Sequence, residues 1–148
     1  MLKKYLVILA VGAFITDSKK RILIVKKSPQ EKIDGGLWTI PGGKVYPKEG
    51  INNALIREVK EEVNLNIVSY KWIGEDVFIS NNKYFHSQHY LCQVKNPKLL
   101  KLETKLTDYY WLSSKDINRF NFPKKIKKRI LLIFKKNNRS KNELTPVI

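Results

Sequence analysis

The 148-residue sequence predicts an α/β fold in which strands pack between two main helices, and three patterns carry that prediction. Residues 5–16 and 21–26 are apolar and rich in β-branched side chains, and the polar stretch Asp17-Ser18-Lys19-Lys20 separates them. Between residues 48 and 63 the spacing changes: Ile51, Leu55 and Val59 recur every fourth residue with Ala54 alongside, which is helical. The same periodicity returns after Pro123, with Ile126, Ile130, Leu131 and Phe134 marking a helix over 124–134. The near-continuous apolar character of the first two strands implies burial on both faces, as in a sheet covered by helices on each side.

The elements follow in order. Residues 5–16 and 21–26 read as two strands joined by a short turn. Residues 28–36 form a polar loop ending in Gly35-Gly36. Leu37-Trp38-Thr39-Ile40 is a short apolar segment stopped by Pro41-Gly42-Gly43, read as an exposed backbone turn. A second short run, Lys44-Val45-Tyr46, leads to Pro47, which suits a helix start, and Glu49 suits a first turn facing the positive end of the helix dipole. Asn64 is a left-handed terminator. Strands are predicted over 65–72, 76–80 and 87–95, the last two joined by Asn81-Asn82-Lys83, and a further short one over 106–112. Ser113 or Ser114 caps a brief helix through Ile117. The domain is assigned to residues 1–136, and 137–148 to a polar, basic C-terminal tail.

Composition excludes several classes. A length of 148 residues suits one domain with a real core, and 43% hydrophobic with 28% charged residues is neither a disordered nor a membrane composition. A single cysteine, Cys92, removes any intrachain disulfide framework and any paired-cysteine zinc site; its apolar neighbours Tyr90 and Leu91 place it in the core. Lys3 and Lys4 ahead of an apolar run resemble a short signal peptide, but the run has a poorly defined cleavage site and is too short to span a bilayer. Read as a strand, it stays in the mature protein, with no membrane partner and a cytoplasmic location. The net charge of +16 attracts anions, nucleotides and nucleic acid included, and much of it lies late, at Lys124, Lys125, Lys127, Lys128 and beyond.

The chemistry concentrates on the first helix. Glu58, Glu61 and Glu62 stand at i, i+3 and i+4, on one side and a turn apart, opposite Ile51, Leu55 and Val59. Three carboxylates that close repel one another, and the arrangement becomes favourable around divalent cations such as Mg²⁺. Taken alone, three glutamates also describe a solvated helix face. Gly42-Gly43, just ahead, adds carbonyls that can meet a metal and amides that can meet phosphate oxygens.

The wider spacing is more specific. From Gly43 there are five residues to Glu49, then seven to Arg57-Glu58-Val59-Lys60-Glu61-Glu62-Val63-Asn64-Leu65. This resembles the signature of the Nudix hydrolase family, whose MutT-like members are nucleotide pyrophosphohydrolases, with Asn64 where the family usually has glycine. Trp38-Thr39-Ile40-Pro41-Gly42-Gly43, Arg21-Ile22-Leu23-Ile24-Val25 and Asp108-Tyr109-Tyr110-Trp111-Leu112 are similar to other family segments. The resemblance implies an α/β/α sandwich around a mixed β-sheet. It implies that Glu58, Glu61 and Glu62 bind Mg²⁺, with Mn²⁺ also suited, and that the Gly43 carbonyl is a further ligand. It makes Arg57 the group that orients a carboxylate, with Glu49 supporting it. Metal-bound water then attacks phosphorus, with Glu61 or Glu62 taking the proton.

Outside the signature, Glu103 and Asp108 are the available extra acids, both also readable as surface charges. Trp38, Tyr84 and Phe85 are the candidates to stack on a base, with Trp111 a further aromatic. His86 and His89 are candidates for phosphate contact, against an ordinary hydrogen-bonded role. The expected substrate is a small-molecule nucleotide, first a nucleoside triphosphate giving monophosphate and pyrophosphate. ADP-ribose or a nucleotide sugar is the alternative, then a 5′-triphosphorylated RNA end met by the basic last helix, then a noncatalytic nucleotide-binding module.

Overall fold

The computed structural model describes residues 4–140, side chains through residue 138; the leading Met1–Lys3 part of the apolar run's flank and residues 141–148 of the expected tail lie outside it. The order is β1 (Leu6–Ile15), β2 (Ile22–Lys27), β3 (Trp38–Thr39), β4 (Gly42–Lys44), α1 (Ile51–Val63), β5 (Ile67–Ser80), β6 (Lys83–Val94), β7 (Leu106–Leu112) and α2 (Lys124–Ser140), with short 3-10 turns at Pro97–Leu99 and Ser114–Arg119. The predicted α/β/α sandwich is what forms. A mixed four-stranded sheet runs β4-β1-β6-β5, in which β1 and β6 are parallel and the other pairs antiparallel. A three-stranded antiparallel sheet runs β3-β2-β7.

Period-two alternation divides the core. Val11, Ala13, Ile15, Leu23 and Val25 turn toward α1, where Ala54, Leu55, Val59 and Val63 meet them. Their neighbours Phe14, Ile22 and Ile24 turn the other way, against Ile130, Ile133 and Phe134 of α2. Both faces are therefore buried over residues 11–15 of β1 and 22–25 of β2, which is why those stretches carry no polar side chain.

Four expectations need correcting. β1 and β2 do not pair as a hairpin: after the turn they separate into different sheets, joined by one bridge, Thr16↔Ile22. The strands predicted at 65–72 and 76–80 are one strand, β5, with pairing irregularities at Ile67/Ser69 and Trp72/Gly74. Gly42-Gly43 is strand, not turn, paired to Gly12 and Val11 of β1. Helix α2 runs past residue 136 to Ser140.

The turn at Asn81-Asn82 is tight, with φ of 49° and 60°, which closes a hairpin whose twist matches the strands it joins. Helix α2 covers the free edge of β5. Arg129 donates to the Ile73 carbonyl at 3.0 Å and Lys125 to the Val77 carbonyl at 2.5 Å, so cations cap backbone oxygens that no further strand takes up. Gly74 permits this seat: its φ is +146°, and a Cβ there would lie 2.4 Å from the Arg129 guanidinium.

Asn64 ends α1 in the left-handed conformation, φ 58° and ψ 34°, with its N–H on the Lys60 carbonyl and its side-chain amide donating to Leu99 at 3.0 Å. Both substitutions at this position lose the amide, but only alanine keeps the strain. Asn64→Ala should therefore be less stable than Asn64→Gly by about 1 kcal/mol in urea unfolding, and equal midpoints would contradict a strained terminus.

Candidate active site

A cleft of about 740 Å³ opens beside the exposed side of α1. Glu58, Glu61 and Glu62 line one wall, with Gly42 and Gly43 of β4 beside them. Strand β4 lies so close to the helix that a Cβ on Gly43 would stand 2.5 Å from the Glu58 carboxyl, and one on Gly42 would stand 2.2 Å from the Val11 carbonyl. Neither glycine adopts positive φ; the residue is demanded by crowding. The Gly42 N–H donates to Glu62 Oε1 at 3.2 Å.

Arg57 organises this wall. Its Nε and Nη2 donate to the two Glu49 oxygens at 2.7 and 2.8 Å, its Nη1 to Glu58 at 2.9 Å and Glu61 at 3.1 Å, and Nη2 again to the Lys44 carbonyl at 3.0 Å. That engages all five guanidinium donors, and the ring of Tyr46 stacks beneath at 3.8 Å. Glu49 is not in the first helical turn as expected. It precedes Gly50, the residue that caps α1, and its Oε1 also accepts from the Tyr46 N–H.

The carboxylates differ in electrostatics. The Arg57 hydrogen bonds, then the Tyr46 N–H, hold Glu49 down to about 2. Burial pushes Glu58 up against the pull of Arg57. Burial pushes Glu62 up to about 8, opposed by the Gly42 N–H. Glu61 is half exposed. Two recessed carboxylates that resist ionising side by side are an environment a divalent cation reverses, since its charge favours the anionic form. Among the described residues no three such side chains are already gathered into a cage; Glu58 and Glu61 instead share Arg57, and Glu62 accepts from the Gly42 N–H. The donor chemistry, all hard oxygen, fits Mg²⁺ or Mn²⁺.

A family model for the NUDIX domain matches residues 7–133. The chain belongs to the Nudix hydrolase family. It is similar to the 8-oxo-dGTP diphosphatase of Buchnera aphidicola subsp. Schizaphis graminum, 31% identical over 109 residues that cover 71% of this chain and 78% of that protein. Its fold is similar to the MutT protein from Methanosarcina mazei Go1, with a TM-score of 0.79 at 24% identity over 93% of this chain and 99% of that one. It is also similar to the NUDIX domain of Shewanella oneidensis NrtR complexed with ADP ribose, with a TM-score of 0.68 at 15% identity over 93% and 90%.

Within this Nudix chain the structure gathers the signature residues Gly43, Glu49, Arg57, Glu58, Glu61 and Glu62 in one place. Glu103 joins them at the cleft: Lys101 and Glu103 donate their N–H groups to the Val63 and Glu62 carbonyls at the end of α1, which sets Glu103 beside the glutamates. Asp108 does not line the cleft; it accepts from the Tyr109 N–H on β7. Of the three base-stacking candidates only Phe85 lines it, stacked on Phe78 with centroids 4.9 Å apart. Trp38 packs edge-on against Phe120 in the α2 side of the core, and Tyr84 packs between Tyr5 and His86.

Lys27, Lys44, Lys105, Asp76 and Ser87 had no sequence signal of their own, whereas Lys124 and Lys125 belong to the basic stretch the sequence singled out. Lys27, Lys44 and Lys105 bring positive charge to the carboxylate end, and Asp76, Ser87, Lys124 and Lys125 stand along the wall built by β5, β6 and α2. His89 lines the cleft too, but is 2% exposed, edge-on to Phe14 at 5.1 Å, with its Nδ1 lacking a hydrogen-bond partner among the described residues. An ordinary hydrogen-bonded histidine was one expectation; the observed ring is buried without that bond.

Two outcomes are expected. Gly43→Ala pushes a methyl into the Glu58 carboxyl and should lower turnover by about tenfold or more with a folded protein, read from steady-state rates and circular dichroism. His89 is the second case. Burial, aided by Arg129, lowers it from 6.5 to about 4, so the unfolded chain takes the proton first as the pH drops. Its contribution is complete above pH 6.5 and is lost progressively down to about 4, approaching about 3 kcal/mol. Urea midpoints at pH 7 and 4.5 should diverge less in His89→Phe than in the wild type.

Proposed function

We propose that this Nudix hydrolase cleaves nucleoside triphosphates to a monophosphate and pyrophosphate with the help of Mg²⁺ or Mn²⁺. The observation that carries this reading is one cleft with three helical glutamates on a wall, lysines 27, 44 and 105 around them, and an aromatic pair on the opposite wall. Carboxylates suit cations, the lysines suit polyphosphate oxygens, and the aromatic wall suits a base. The Buchnera relative's diphosphatase activity on 8-oxo-dGTP supports the same substrate class.

In this reading Glu58, Glu61 and Glu62 hold the divalent ions, with the Gly43 carbonyl and Glu103 close enough in the fold to assist. Bound there, such ions would supply charge against the diphosphate oxygens and a water of lowered pKa, while the glutamates hold that charge beside the phosphate. Arg57, fixed by Glu49 and Tyr46, holds Glu58 and Glu61 in place before substrate arrives, so little reorganisation is left for the reaction. Glu61 is the more open of the two possible bases, and Glu62 is the one whose environment favours holding a proton.

A chromatographic product assay tests this on the full chain with Mg²⁺, using normal and oxidised nucleoside triphosphates, ADP-ribose and triphosphorylated RNA. Monophosphate plus pyrophosphate is the expected product, abolished by chelation. Glu61→Gln and Glu62→Gln should each keep the fold and lose at least about a hundredfold in kcat. AMP plus ribose 5-phosphate as the preferred outcome, or near-normal rates in both variants, would overturn the assignment.

A further inference from the structure

We propose that Asp76 reads an exocyclic amino group on the substrate's base, so that the cleft prefers cytosine and adenine nucleotides to their keto counterparts, uracil and hypoxanthine. The inference rests on the triphosphate reading above and adds a base-selecting residue on the wall away from the glutamates.

The strand register places the group. Asp76 of β5 lies opposite Ser87 of β6, and the next pair on the same face is Phe78 opposite Phe85. All four line the cleft, and the two phenylalanine rings are parallel within 2°. A flat apolar surface therefore adjoins a carboxylate and a hydroxyl, which is the combination that grips a base by its face and its edge.

The carboxylate is half spent. Its Oδ1 is 3.0 Å from Lys125 Nζ, which is itself tethered by the Val77 carbonyl. Its Oδ2 has no partner among the described residues and keeps contact with solvent, the side chain being 14% exposed. A carboxylate only accepts hydrogen bonds, and the ammonium beside it only donates. The pair thus complements an amino N–H next to a ring nitrogen acceptor, as cytosine and adenine present on their pairing edges. Uracil and hypoxanthine place a carbonyl oxygen where the amino group would be, setting lone pair against lone pair and leaving Oδ2 unpaired in a recess. Sites built to hydrogen-bond a substrate group discriminate strongly against the analogue that lacks it.

The competing account is that Asp76 serves only to fasten Lys125, and with it α2, to β5. The two accounts separate by base dependence. The test measures kcat/KM on CTP, UTP, ATP and ITP, and calorimetric binding of CMP, UMP, AMP and IMP, with the full chain. The expected wild-type preference is about tenfold or more for CTP over UTP and for ATP over ITP. Asp76→Asn, whose amide donates as well as accepts, should pull both ratios toward one by raising UTP and ITP as CTP and ATP fall. Wild-type ratios near one overturn the proposal without any variant, and so does a variant that loses all four substrates equally. If no triphosphate yields monophosphate and pyrophosphate, the triphosphate reading fails; a CMP-over-UMP binding preference that Asp76→Asn removes would still uphold Asp76, and equal binding of the four monophosphates would overturn it.

Discussion

The five-donor engagement of Arg57 is the constraint on which the rest of the site depends. A planar guanidinium reaches Glu49, Glu58, Glu61 and the Lys44 carbonyl at once, so it ties the β4–α1 loop, the end of β4 and the exposed face of α1 into one unit. Lysine, a point charge with three donors, has no equivalent geometry. Glu49 is the counterweight: it takes two of the donors and a backbone N–H, and so spares Glu58 and Glu61 from neutralising Arg57 alone. The cost of crowding carboxylates on one helix face is thereby met partly inside the protein before any cation arrives.

That unit needs a rigid backing, and the backing comes from alternation in β1 and β2. Because their odd and even residues enter opposite layers, α1 and α2 are both fixed to the same two strands. The cleft lies where the mixed sheet leaves α1's outer side uncovered. Its carboxylate end is made from β4 and α1, and its other end from β5, β6 and the start of α2. A Cβ at Gly43 would run into the Glu58 carboxyl of α1, and one at Gly74 into the Arg129 guanidinium of α2, so the strands approach each helix too closely for a side chain at these positions.

How much of this was legible depended on whether the determinant was local. The period of Ile51, Leu55 and Val59 fixes α1 and the shared side of its three glutamates, because helical geometry alone relates them. Asn64 was readable as a terminator because few residues tolerate that backbone conformation. Gly42-Gly43 misled because glycine marks both turns and crowded strands, and only the packing of β4 on α1 distinguishes them. β5 looked like two strands because the irregularity near Gly74 and the polar Glu75-Asp76 interrupt its alternation. Glu49 carried two readings, a dipole partner near the helix start and, from the resemblance, the support of Arg57 eight residues on; the Arg57 pairing is the one the structure shows. Lys27, Lys105 and Asp76 come from three separate parts of the chain, and nothing short of the topology brings them to one cleft.

The same division bears on how a shared fold serves different substrates. On the proposed reading the carboxylate end handles phosphate and metal, groups common to every nucleotide, and its glutamates, Arg57 and the Gly42-Gly43 backbone come from one contiguous stretch, residues 42–62, with Lys27, Glu103 and Lys105 added by the fold. The opposite wall must read what differs between nucleotides, and it is assembled from strand edges and a helix start whose side chains are free to vary without disturbing Arg57. A chain similar in fold to both a MutT protein and an ADP-ribose-bound NUDIX domain is expected on that account. On the proposed reading, selectivity turns on single positions such as Asp76, where the carboxylate oxygen that Lys125 leaves free separates an amino from a keto edge, while the carboxylate end goes on doing the same chemistry.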